Sequence, residues 1–191
     1  MLTLPTFSTQ IELEAGLDHI RQSPHTTGVL AMIVRRPQPN EREVLATGAL
    51  DVAEGLVGDT WRTRWSKRTP DGAAHPDMQI TLMNARVIAL LAQTPTRWPL
   101  AGDQLYVDLD LSEANLPPGT RLALGTALIE VTAQPHTGCN KFMERFGAEA
   151  LKFVNSPVGK QLRLRGLNAK VVQAGVIQVG DEVRKTVTAQ A

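Results

Sequence analysis

The chain has 191 residues, 42% of them apolar and 20% charged, with a formal net charge of +1 at neutral pH. That balance excludes a disordered chain and suits one globular domain with a substantial core. It also argues against a protein whose main task is to wrap nucleic acid or to cling to an anionic membrane, and no run approaches the roughly 20 apolar residues of a membrane span.

In chain order, TQIELEAGLDHIRQ (9–22) predicts a short helix that ends before Ser23-Pro24. GVLAMIVRR (28–36) is a near-continuous apolar run closed by Pro37, the pattern of a buried strand. A polar turn follows, and EVLATGAL (43–50) reads as the returning strand. GLVGDTW (55–61) has two glycines three apart before Asp59, which predicts a shaped loop with positive φ. It matches neither a dinucleotide nor a P-loop fingerprint. WRTRWSKRTPDGAAHPD (61–77) then reads as an exposed loop or edge strand.

MQITLMN (78–84) alternates like a strand, and Asn84 is a fair N-cap for a helix over NARVIALLAQ. LYVDLDL (105–111) is a further alternating strand, and two β segments flank Gly125. FMERFGAEALKFVNS (142–156) has helical apolar spacing that Gly147 divides in two, with the phenylalanines as a core stripe. The segment 170–188 predicts two more strands about a Gly-Asp turn. Many short strands with only a few modest helices give a mainly β fold, barrel or sandwich, and not a doubly wound sheet.

Cys139 is the only cysteine, so no intramolecular disulfide is possible. MLTLPTFSTQIELEAGL lacks the basic start and apolar run of a signal peptide, and the expectation is a soluble, cytoplasmic protein. HTGCNK places the thiol at a turn before a helix, where unpaired backbone N–H groups, Lys141 and His136 favour a thiolate. Packing in the core, a nucleophile with His136 as base, and metal ligation are the three readings. A structural zinc site would need partner ligands, and the four histidines are scattered. A metal cofactor already held by sulfur needs only one protein thiolate.

An anionic cofactor also needs basic residues. GKQLRLRGLNAK (159–170) offers Lys160, Arg163, Arg165 and Lys170; read as an alternating strand, it puts Arg163 and Arg165 on one side. WRTRWSKR (61–68) interleaves four basic residues with two tryptophans, a pattern of single-stranded nucleic acid binding, but the run is short and anion binding is the better functional reading.

In their order, GLVGD (55–59), MQITLMN (78–84), AGDQLYVDLDL (101–111), LPPGTRLALGTALIEVT (116–132), HTGCNKF (136–142), LRLRGLNAKVVQAG (162–175) and IQVGDEV (177–183) resemble the MOSC domain, named for the C-terminal domain of molybdenum cofactor sulfurases. The resemblance covers roughly residues 25 to 185, so a single MOSC domain over 1–191 with a short N-terminal extension is expected. It implies a β-barrel similar to the pyruvate-kinase barrel, and a molybdopterin-type molybdenum cofactor bound through Cys139. By the same resemblance, Arg163, Arg165 and Asn168 would seat the cofactor and Asp59 would shape the pocket floor; His136 and Lys141, beside the thiol, are the further cofactor-binding candidates. Some members reduce N-hydroxylated small molecules with electrons from partner proteins. Others are thought to carry sulfur as a persulfide, which would make a cysteine desulfurase a partner. This sequence has Thr60-Trp61 where many members carry a His or similar polar residue, and Asp103-Gln104 where Glu-Asn is usual.

Overall fold

A computed structural model describes residues 7–186. The strands are β1 (Thr27–Arg35), β2 (Glu43–Leu45), β3 (Thr47–Asp51), β4 (Gly55–Leu56), β5 (Ile80–Asn84), β6 (Leu105–Asp108), β7 (Arg121–Leu124), β8 (Ala127–Val131), β9 (Leu167–Gln173), β10 (Gly175–Gln178) and β11 (Glu182–Thr186). The helices are α1 (Gln10–Ala15), α2 (Leu17–Arg21), α3 (Ala85–Ala92), α4 (Asn140–Phe146), α5 (Ala148–Asn155) and α6 (Pro157–Gln161).

Seven strands close a barrel in the order β11-β7-β8-β9-β5-β6-β1, and β1 returns to β11 through Thr27↔Arg184, Gly28↔Val183 and Val29↔Glu182. Among the described residues only β5 and β6 run parallel, because α3 and the 3₁₀ turns of Pro95–Ala101 form the crossover that a parallel pair requires. Further along β1, β2 pairs with Ile33–Arg35. A separate sheet joins β10, β3 and β4.

Alternation along the strands sorts the core into two parts. Leu82, Leu105, Val107, Leu122, Ile129 and Leu167 belong to the barrel interior cluster. Met83 and Tyr106, one step away in the strand period, pack outward with Leu13, Ile88, Phe142, Phe146 and Phe153 from the helices. The helices thus cover one flank of the barrel, and the aromatic stripe is core, as its spacing predicts. Asn84 caps α3 by accepting from the N–H groups of Arg86 and Val87.

Several elements differ from the sequence reading. The first helix divides at Gly16 into α1 and α2. EVLATGAL is two strands in different sheets, because the chain leaves β1 at Ala46 to pair with β10. The strand predicted through Leu111 ends at Asp108; beyond it the Asp110 carboxylate accepts from the N–H and hydroxyl of Ser112 in a turn. Residues 187 and 188, expected in the last strand, lie outside the described residues.

The largest correction concerns 162–165, which is turn and not strand. Arg163 has φ +48°, β9 begins only at Leu167, and both Leu164 and Arg165 are buried. The alternating Leu-Arg pattern imitates a strand, but the two arginines go to different surroundings.

Candidate functional site

One end of the barrel gathers the turn after β1, the loop after β4, the segment before β6, the loop from β8 to α4 and the start of β9. Between them lies a cleft of about 680 Å³ whose lining includes Arg36, Arg64, His136, Cys139, Lys141, Arg145, Arg165 and Asn168. Its lining contains no Asp or Glu.

Two buried ion pairs form its back wall. Arg36 Nε and Nη2 donate to Asp59 Oδ2 and Oδ1, both at 2.7 Å, and the Arg36 N–H donates to the same carboxylate at 3.0 Å. Asp59 also accepts from the Trp61 N–H, which turns the chain into a short 3₁₀ helix. Arg165 Nη1 donates to Asp103 Oδ2 at 2.7 Å, and its guanidinium lies over the Phe142 ring at 5.0 Å.

The turn ending at Asp103 carries the most regular feature of the site. Four consecutive carbonyls each accept from a different arginine: Pro99 from Arg42, Leu100 from Arg145, Ala101 from Arg165 and Gly102 from Arg36. Carbonyls left over at a helix end orient the guanidiniums without neutralising them. Arg42, Arg64, Lys141 and Arg145 make no ion pair with a carboxylate among the described residues. Burial, followed by Arg145 and Arg36, holds the Arg42 guanidinium below its ordinary value. A cleft of this kind favours an anion.

Cys139 is exposed at the N-cap of α4, and its side chain makes no capping bond. That removes the packed-core reading of the thiol. Nor does it pair with His136, as a cysteine nucleophile and its base would, since no hydrogen bond joins them. The nearest acidic group to His136 is instead Asp103, with Nδ1 3.5 Å from Oδ1. Burial, then Arg165 and Arg36, push the imidazole well below its ordinary value and keep it neutral. Asp103 is pushed up by burial, with Arg165 opposing.

Four polar atoms buried here have no hydrogen-bond partner: Asp103 Oδ1, His136 Nδ1, Arg165 Nε and Asn168 Oδ1. Asn168 is fully buried, its Nδ2 committed to the Gln134 carbonyl at 3.1 Å. Buried unpaired groups are costly; His136, Arg165 and Asn168 carry theirs in the cleft lining, with Asp103 behind them, and that clustering marks a candidate ligand site.

The expected residues therefore divide. Cys139, His136, Lys141, Arg165 and Asn168 come together in the cleft. Asp59 stands behind it and acts through Arg36. Arg163 lies outside it, donating to the Leu116 carbonyl at 2.6 Å beside a second cleft of about 380 Å³. His136 and Arg165 line both clefts and form the wall between them. Arg36, Arg42 and Arg145 escape a reading of the sequence because they are scattered, and only the carbonyl row of 99–102 collects them. Among the described residues no three His, Cys, Asp or Glu side chains cluster as a metal site, so a metal at Cys139 has to bring further ligands.

The MOSC domain family matches residues 69–184. The fold is similar to that of the YuaD protein from Bacillus subtilis, with a TM-score of 0.63 at 17% identity over 85% of this chain and 97% of that one. It is also similar to YiiM from Geobacillus stearothermophilus (TM-score 0.57, 18% identity, 84% and 75% of the two chains). YiiM from Escherichia coli aligns with a TM-score of 0.54 at 17% identity, over 85% of this chain and 72% of that one. No curated protein matches the chain.

Proposed function

The chain belongs to the MOSC domain family, and on that premise we propose that it binds a molybdopterin-type molybdenum cofactor through Cys139. The observation that carries this reading is the cleft itself: an exposed thiol beside unneutralised cations and unpaired buried polar atoms. The residues fit such a group on three counts. Its phosphate would meet Arg42, Arg64 and Arg145, whose free N–H groups have no carboxylate to compete with. A ring N–H would satisfy Asn168 Oδ1, and the thiolate would complete a sulfur-rich metal coordination. The volume falls within the usual range of small-molecule sites, roughly 300–1,000 Å³.

When bound, the cofactor would supply two-electron exchange at molybdenum, with reduction of N-hydroxylated compounds as the reaction class. The protein's part is to bind, orient and tune. Arg36 and Arg165, fixed from behind by Asp59 and Asp103, hold the wall rigid. Reduction of this kind requires an electron-donor protein as a partner. Among the described residues no helix is long and apolar enough to cross a membrane, which accords with a cytoplasmic setting.

The test is metal analysis of protein made in a host that produces the cofactor. Stoichiometric molybdenum in the wild type and its loss in Cys139→Ser is the expected result. Metal-free protein from both would overturn it. A second reading rests on the accessibility of the thiol: a sulfur carrier with a persulfide on Cys139. It predicts a mass gain of one sulfur atom after exposure to a cysteine desulfurase and its substrate.

A further inference from the structure

The wall shared by the two clefts contains His136, and behind it stands a second titratable group, Asp103. Asp103 is fully buried, and only one of its oxygens is used by Arg165. The other faces His136 Nδ1 at 3.5 Å. Both atoms are sealed from solvent, and neither has a hydrogen-bond partner, so each is left facing the other. Gly166 lies close to the same nitrogen: a Cβ added there would sit 3.4 Å from Nδ1 and 2.1 Å from the Leu82 carbonyl oxygen. The ring thus has the segment before β6 and the one before β9 as neighbours. Nε2, by contrast, is not among the sealed atoms, and the side chain retains 14% exposure. It is the nitrogen open to the clefts.

A carboxylate beside one imidazole nitrogen selects the tautomer with the proton there and leaves a lone pair on the other. Arg165 and Arg36 add positive charge around the ring and oppose a second proton. We propose that His136 is a second hydrogen-bond acceptor of the site, beside Asn168 Oδ1, set in the Nδ1–H form by Asp103, so that Nε2 receives an N–H or O–H donor of the bound small molecule. Asp103 is then a positioning residue that acts through His136, and Arg165 holds Asp103 in turn. The inference rests on the reading that the Cys139 cleft is the working site, and it selects ligands that carry a proton donor. Among the arginines and the lysine of the cleft lining, all of them donors, it supplies an acceptor with no negative charge.

Nitrogen-15 NMR of the histidine rings, recorded at neutral pH on the full chain without cofactor, tests the first half. His136 should show a protonated Nδ1 and an unprotonated Nε2, and Asp103→Asn should shift that preference towards the other tautomer. A protonated Nε2, or a doubly protonated ring, in the wild type would overturn the proposal. If Asp103→Asn does not fold, the wild-type spectrum still decides. For the second half, benzamidoxime serves as a neutral N–OH probe. An upfield shift of the Nε2 resonance on titration is expected, smaller with the O-methyl ether of the probe. An unmoved Nε2 at the limit of probe solubility would overturn the acceptor role. Neither readout depends on molybdenum, so failure of cofactor binding and failure of this inference are separate results.

Discussion

Arg36 grips Asp59 with two guanidinium nitrogens and its own backbone N–H, and both side chains are sealed from water, at 5% and 0% exposure. The pair joins the end of β1 to the loop after β4, and through the Gly102 carbonyl it also fixes the turn before β6. Removing one partner leaves a buried charge without its counter-charge. Asp59→Ala should therefore cost about 3–5 kcal/mol in chemical denaturation. A loss below about 1 kcal/mol would show that solvent reaches Arg36.

The glycine against the imidazole gives a sharper contrast. Gly166 has φ +101°, and an added Cβ would collide with a β5 carbonyl, whereas Gly119, at φ +88°, has open space around it. Gly166→Ala should cost about 3 kcal/mol or more, and Gly119→Ala only the backbone strain of about 1–2 kcal/mol. Equal losses would refute the contact argument.

Anion binding at the cleft arginines that have no carboxylate partner can be measured without the cofactor. With pyrophosphate as probe in calorimetry, Arg64→Ala and Arg145→Ala should each weaken binding about tenfold, equivalent to one charge-assisted hydrogen bond of about 1.5 kcal/mol. Binding should also weaken as salt rises. Arg121→Ala, on β7 and paired with Glu130, serves as the control and should leave the affinity unchanged.

His136 gives the acid limb of stability its sign. Its folded value is depressed, mainly by burial, so the unfolded chain takes up a proton that the folded one refuses. Stability then falls as pH drops below the ordinary histidine value of about 6.5. Asp103 acts in the opposite sense: its raised value makes its contribution present at acid pH and lost as pH rises through that value. In denaturation at a series of pH values, His136→Asn should flatten the decline between about pH 6.5 and 5. An unchanged slope would mean that the imidazole titrates freely in the native chain.

The barrel strands were legible because Leu82, Leu105, Val107 and Ile129 follow the period of two that a half-buried strand imposes. Helix breaks at Gly147 and the cap at Asn84 were legible for equally local reasons. What failed was non-local. LRLR carries the strand period, yet the turn at Arg163 and the burial of both Leu164 and Arg165 are decided by partners at Leu116 and Asp103. Cys139 stood out as the lone thiol, whereas Arg36, Arg42 and Arg145 carry no local mark, and their meeting depends on carbonyl directions in the 99–102 turn. His136 was legible as a residue of the site but not as the partner of Asp103, 33 positions earlier in the sequence.

The seam of the barrel joins β1 to β11, the earliest of its strands to the latest. A chain emerging from the ribosome therefore exposes the free edge at Thr27–Val29 until nearly all of the barrel has been made. Long-range closure of this kind is slow and leaves an unpaired edge open to other chains meanwhile.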